Sequence, residues 1–209
     1  MRIGILGGSF NPPHRGHLAL ARAVLNQGLA EGVLLVPAAV PPHKEAPRQA
    51  DAPTRLRMTE LLAAEDSRLS VDGLELARSG PSFSIDTVRE LAAAHPDNCY
   101  RLIIGSDLAV MFAAWRDFRE LLRLAPPLVA ERPGVPLSGP AERLYPGLAP
   151  DEAARLAAGR FPMPPVDVSS TQVRQLLAEG ADEAKLLSRL TRPVYDFIRA
   201  RGLYGTLSE

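Results

Sequence analysis

Short apolar runs alternate along this chain with longer segments in which apolar residues recur every three to four positions. Ile3–Leu6, Val33–Val36, Leu102–Ile104 and Leu128–Ala130 are near-continuous apolar runs, the pattern of strands covered on both faces. Leu69–Leu76 alternates apolar and polar residues and predicts a half-exposed strand, and Pro165–Val168 is a short last candidate. Helical spacing appears over Gly16–Gln27, Thr54–Ala64, Ile85–Ala94, Leu108–Phe112 and Phe118–Leu124. Alternation of this kind predicts an α/β fold, a Rossmann-like doubly wound parallel sheet with helices on both faces. Residues 133–165 are punctuated by proline and predict a loop-rich excursion with one helix near Pro150–Ala158. Residues 171–204 predict a helical C-terminal part. Within it Leu186, Leu187, Leu190, Val194 and Ile198 fall near a 3.6 period that is interrupted around Pro193. The 209 residues are enough for a single domain with a full core.

Composition narrows the function classes. Lys+Arg and Asp+Glu are equal at 24 each, so the chain lacks the basic surplus of a general nucleic-acid binder. The single Cys99 excludes an internal disulfide and fits a reducing compartment; beside an apolar run it predicts a packed, inert thiol. Residues 1–8 lack a basic segment followed by a long apolar one, and no apolar stretch reaches membrane-spanning length. The expectation is a cytoplasmic enzyme with neither nucleic acid nor membrane as partner. Oligomeric state is not legible.

Candidate chemistry concentrates at Gly7-Gly8-Ser9-Phe10-Asn11-Pro12-Pro13-His14-Arg15-Gly16-His17, between the first predicted strand and the first predicted helix. A helix entrance presents unpaired backbone N–H groups and partial positive charge, which suit a phosphate. His14 and His17, at i and i+3, can share one face there, and Gly16 between them leaves room for a ligand against the backbone. A tight turn with two solvated histidines is the plainer alternative. A zinc pair is disfavoured, because His43 and His95 lie in unrelated contexts and no cysteine is near.

A second constellation is Val168-Ser169-Ser170-Thr171-Gln172-Val173-Arg174. Ser169 or Ser170 can cap the helix that follows, such a cap is also an anion site, and Arg174 falls one turn in. Taken alone, it reads first as an ordinary helix cap with a surface arginine. In Leu102–Asp107 a strand ends at Gly105 and Asp107 opens a helix, where it can accept from ribose hydroxyls or simply serve the helix start.

Residues 7–17 resemble the G-G-[ST]-F-[DN]-P-x-H-x-G-H signature of the nucleotidyltransferase superfamily. Ser169–Arg174 resembles its S-S-T-x-[IV]-R motif, and Ile103–Asp107 its I-[IV]-G-x-D element. Four further elements are similar to the bacterial nicotinate-nucleotide adenylyltransferase family: Pro41-Pro42-His43-Lys44, Pro81-Ser82-Phe83-Ser84 running to Thr87, Trp115, and Arg132-Pro133-Gly134. The ending Ile198–Tyr204 also resembles that family's I-x-x-x-x-L-Y.

The resemblance implies transfer of the adenylyl group of ATP to nicotinate mononucleotide, giving deamido-NAD and pyrophosphate. ATP would lie on Gly7, Gly8, Ser9, Phe10, Asn11, His14, Gly16, His17, Gly105, Asp107, Ser169, Ser170, Thr171 and Arg174. His17, His14 and Arg174 would act on the reacting phosphates. Lys44, Ser82, Phe83, Ser84, Trp115 and Arg132 would hold the acceptor, with Trp115 stacking on the pyridine ring. Without the resemblance, Lys44 reads as well as a solvated lysine, and Trp115 as a core filler. No carboxylate cage is visible, so Mg2+ would be carried mainly by the ATP phosphates. Related acceptors, nicotinamide mononucleotide or phosphopantetheine, would use the same ATP motifs. A non-catalytic nucleotide-binding module would not need His14, His17 and Arg174.

Overall fold

In the computed structural model, residues 1–39, 50–131 and 139–206 are described. The apolar runs form a six-stranded sheet of β1 (Arg2–Gly8), β2 (Gly32–Pro37), β3 (Leu69–Val71), β4 (Cys99–Gly105), β5 (Leu128–Ala130) and β6 (Arg160–Phe161). Strand order is β3-β2-β1-β4-β5-β6. The pairs β1–β4, β4–β5 and β5–β6 are parallel, with Arg2 opposite Cys99, Ile103 opposite Leu128 and Val129 opposite Arg160. Helices occupy the intervals between strands, as parallel pairing requires. The fold class is the Rossmann-like one that the alternation predicts. In this order the direction of winding reverses at β1, the strand whose carboxyl end leads into residues 7–17.

The residues group into two compact units. One comprises residues 1–6, 23–33 and 83–165. Here the helices α3 (Ser84–Ala94) and α5 (Phe118–Leu124) pack together, and Arg89 of α3 reaches Asp86, Asp117 and Glu120. Its core includes Val33, Val88, Leu102, Phe112, Leu121, Val129 and Leu156, all buried. Gly4 packs closely here: a Cβ there would sit 2.7 Å from Ile103 Cδ1, the end of a side chain that would have to shift.

The other unit comprises residues 7–22, 34–82 and 166–209. It contains α2 (Ala52–Ala63), capped by Asp51 with Pro53 in the first turn, and α8 (Ser170–Ala178). It also contains α9 (Glu183–Leu187) and α10 (Arg192–Ala200); α10 packs on α2, and its Val194 and Ile198 are fully buried. The interruption expected at Pro193 is the boundary between α9 and α10, where proline occupies the first turn of α10 and loses no helical hydrogen bond.

Several local expectations are corrected. The strand over Leu69–Leu76 stops at Val71, and Leu74–Ala77 is a single 3₁₀ turn, because Asp72 takes the Leu74 N–H and ends the extended run. Pro165–Val168 is not a strand; the excursion holds two helices and not one, α6 (Ala141–Leu144) and α7 (Pro150–Ala158), and the sixth strand is the short β6 that follows them. The Leu108–Phe112 helix is instead α4 (Ser106–Ala109) and a 3₁₀ turn at Phe112–Ala114. Cys99 is exposed at the start of β4, not packed, since the buried positions of that strand begin at Tyr100.

Candidate active site

The loop after β1 is held as a rigid surface by its own residues and by the C-terminal helices. Phe10 adopts a left-handed φ of 45°, unusual for a side chain of that size, and is fully buried. Its ring packs on His17 at 4.8 Å and lies where a Gly8 Cβ would come within 3.3 Å, so glycine at position 8 makes room for Phe10. A Gly16 Cβ would meet Val168 Cγ1 at 2.9 Å and the His14 ring at 3.0 Å. The Cβ side of Gly16 is therefore filled by His14 and Val168. At Gly7, which is exposed, no atom lies within 4 Å of the corresponding Cβ position. The open stretch of backbone is there.

His14 and His17 are brought together at the entrance of α1 (Arg15–Asn26), with ring centroids 3.8 Å apart and planes 28° from parallel. His14 is buried and His17 partly so. The His14 backbone N–H donates to His17 Nδ1 at 3.1 Å, and the Gly16 N–H donates to His14 Nδ1 at 3.2 Å. A ring nitrogen that accepts cannot carry the proton, so these bonds assign both neutral imidazoles the Nε2–H tautomer. Two neighbouring rings are thereby set as Nε2 donors by the backbone of their own motif.

The second constellation docks on the same loop. Ser169 is the N-cap of α8: its Oγ accepts the Gln172 N–H at 3.2 Å while Gln172 Oε1 accepts the Ser169 N–H at 2.7 Å. The Ser170 hydroxyl donates to the Pro12 carbonyl at 2.9 Å. Arg174 donates to the Asn11 carbonyl at 2.7 Å and to Thr171 Oγ1 at 3.2 Å, which leaves part of its five-donor fork for another acceptor. The hydroxyls of Ser169 and Ser170 fix the helix start and the loop.

Two residues to which the sequence assigned no role, Arg55 and the Tyr204 of the closing motif, complete this unit. Tyr204 donates its hydroxyl to Asn11 Oδ1 at 2.7 Å, and the same oxygen accepts the Ala50 N–H at 3.2 Å. Burial pushes the Tyr204 phenol well above its ordinary value, although Arg174 and Arg55 act in the opposite sense. Arg55, 1% exposed, donates to backbone carbonyls on three sides of the loop base. A signal for it existed: Arg55, Met58, Thr59, Leu62 and Ala63 share the buried face of α2, so an arginine stands in the apolar register. Arg15 secures the motif from outside, its Nε donating to the Leu187 and Leu190 carbonyls at 2.9 and 3.0 Å.

Among the predicted acceptor residues, Ser82 Oγ accepts the Ala39 N–H at 3.1 Å. In the other unit, Phe83 precedes α3 without a side-chain cap bond, Ser84 is the first residue of that helix, and the Arg116 guanidinium lies 4.8 Å from the Phe83 ring centroid. Trp115 is partly exposed and packs on Phe112 at 5.5 Å. Gly105 caps α4, with buried Ser106 and exposed Asp107 in its first turn. Lys44 and Arg132 lie outside the described residues. No group of three or more His, Cys, Asp or Glu side chains among the described residues is placed to hold a metal ion. No helix among them is long and apolar enough to cross a membrane.

Comparison with known proteins adds three findings. A family model described as cytidylyltransferase-like matches residues 5–176. Proteins described as probable nicotinate-nucleotide adenylyltransferases align over nearly the whole chain. That of Bordetella petrii is 42% identical over 97% of this chain and 98% of its own length, and that of Chromobacterium violaceum 38% over the same shares. Among solved structures, a Plasmodium falciparum nicotinic acid mononucleotide adenylyltransferase complexed with NaAD superposes with a TM-score of 0.78. It covers 100% of this chain and 99% of that one at 18% identity, a likeness of fold.

Proposed function

This chain belongs to the nicotinate-nucleotide adenylyltransferase family, and from that premise we infer that it transfers the adenylyl group of ATP to nicotinate mononucleotide. A 5′-phosphate oxygen of the mononucleotide bonds to the α-phosphorus, the bond to the bridging oxygen breaks, and pyrophosphate leaves with its electron pair. The product is deamido-NAD. ATP would enter as its magnesium complex, with the ion carried mainly by the ATP phosphates. The attacking phosphate is already anionic, so the chain need supply neither a nucleophile nor a general base. Its task is alignment and neutralisation of charge.

The observation that carries this reading is the stacked His14–His17 pair, fixed as Nε2–H donors, with Arg174 anchored on the same loop. His17 meets charge developing on the α-phosphate, His14 supports it, and the remaining N–H groups of Arg174 take the departing pyrophosphate together with the start of α8. The open backbone at Gly7 receives the nucleotide. Gly105 and Asp107 serve the ribose. Ser82, Phe83, Ser84 and Trp115 serve the acceptor with Lys44 and Arg132. The whole chain acts as one cytoplasmic catalytic domain.

The test is pyrophosphate release from ATP with nicotinate mononucleotide, nicotinamide mononucleotide and phosphopantetheine in turn. A carboxylate suits the N–H donors at the start of α3, and a neutral amide presents its own donors to them. Preference for the nicotinate form by roughly two orders of magnitude in kcat/KM is expected. Equal use of the two mononucleotides would overturn the acceptor reading.

A further inference from the structure

Arg55 is the largest of the fully buried side chains. Its Nε donates to the Ala50 carbonyl at 3.2 Å, Nη1 to the Ser9 carbonyl at 2.8 Å and the Ala38 carbonyl at 2.6 Å, and Nη2 to the Ala39 carbonyl at 3.1 Å. All four acceptors are backbone carbonyls and none is a carboxylate. Among the described residues no carboxylate bonds to this guanidinium; burying a cation on neutral acceptors is costly, and a side chain of similar volume from the rest of this helix face, such as methionine, fills space without that cost. What methionine cannot do is tie three separate stretches of chain to one planar fork.

Those stretches are Ser9, inside the loop that carries Gly7–His17; Ala38 and Ala39, just after β2; and Ala50, just before α2. Each is tied again by other bonds. The Ala38 N–H donates to the Gly8 carbonyl at 2.9 Å, the Ala39 N–H to Ser82 Oγ, and the Ala50 N–H to Asn11 Oδ1. Every one of these bonds crosses between the loop after β1 and the segments at 38–39 and 50, or fixes those segments in place. One guanidinium sits at their junction.

We propose that Arg55 is a positioning residue for adenylyl transfer: its fork holds the loop after β1 in register with residues 38–39 and 50, so that ATP and acceptor meet in line. The proposal rests on the reading that residues 7–17 hold ATP. Arg55 touches neither substrate. Its influence passes through carbonyls that it holds, and loosening them displaces the reacting groups relative to each other more than it weakens either binding site. A misplacement of about 1 Å costs on the order of 100-fold in rate.

The experiment compares wild type with Arg55→Lys, which keeps the charge and loses the fork, and Arg55→Gln, which keeps hydrogen-bond donors and loses the charge. Four quantities are read: kcat with both substrates saturating, KM for the acceptor, the dissociation constant for ATP without acceptor, and the thermal midpoint. The expected result for Arg55→Lys is kcat lowered at least about 10-fold while the ATP dissociation constant stays within about 3-fold of wild type. A kcat within 2-fold of wild type in folded Arg55→Lys overturns the proposal and leaves Arg55 as packing. So does a loss of kcat matched by an equal loss of ATP affinity, which marks general disorder of the loop. If Arg55→Gln does not fold, Arg55→Lys carries the decision alone. Wild type inactive with every acceptor would instead overturn the function on which the proposal rests.

Discussion

Tyr204→Phe removes one oxygen atom from the base of the candidate site and nothing else. The hydroxyl donates to Asn11 Oδ1 at 2.7 Å inside a pocket where Tyr204 is buried. Asn11 Oδ1 keeps a second donor, the Ala50 N–H at 3.2 Å, so the acceptor is not orphaned. The loss is then one net hydrogen bond, about 0.5–1.5 kcal/mol near neutral pH, and not the larger penalty of an unsatisfied buried group. For a chain of this size that lowers the thermal midpoint by about 1–6 °C. Alkaline pH gives a second, independent reading. Burial holds the folded-state phenol neutral above its ordinary range, so as pH rises past about 10 the unfolded chain releases this proton first. The native state then binds more protons than the unfolded one, and stability falls with rising pH. Tyr145, also raised by burial, contributes the same sign in both proteins, so the difference between wild type and Tyr204→Phe isolates Tyr204. Urea denaturation at pH 7 and pH 10.5 is the assay. The gap between the two proteins should narrow at the higher pH. A constant gap, or a loss above 3 kcal/mol at pH 7, would refute the account of a neutral buried phenol on a doubly served oxygen.

His17→Ala should lower kcat by about two to three orders of magnitude with a much smaller change in ATP affinity, as expected when a donor to developing charge is lost. A mutant with near-normal kcat and a raised KM would make His17 a binding residue only. Gly7→Ala and Gly16→Ala should behave oppositely. Alanine at 7 meets no atom within 4 Å, so the thermal midpoint stays put while KM for ATP rises. Alanine at 16 strikes Val168 and the His14 ring and destabilises by about 1–3 kcal/mol. A Gly7→Ala protein with unchanged ATP kinetics would remove the nucleotide from that stretch of backbone.

The legible parts of this chain were those whose signal is local. The strand–loop–helix corner at residues 7–17 announces itself by composition and by the periodicity on either side, and the structure places His14 beside His17 as their spacing requires. Ser169 as a helix cap was equally readable from Ser-x-x-Gln. Arg55 stands in an apolar register and Tyr204 in the closing motif, but their roles are not legible in the sequence: their partners are backbone carbonyls and an amide oxygen elsewhere in the chain, and no local rule reports a contact across 193 residues. Gly16 shows the limit of reasoning from residue type. Glycine marks a close approach, but only the fold reveals that the group on its Cβ side is the His14 ring. The weak strands failed for a related reason: β6 has two residues, too few for periodicity to register.

Tyr204 also fixes an order of events during synthesis. The loop at residues 7–17 is made well before its partners: Asn11 obtains its phenolic donor from a residue 193 positions later, and Arg15 its carbonyl partners from residues 187 and 190. At about 5–20 residues per second, that interval lasts roughly 10–40 s. Throughout it, a nascent chain carries the full histidine motif without the bonds that hold it still. Chains arrested or clipped before residue 204 would thus retain His14, His17 and Arg174 and still lack the finished loop.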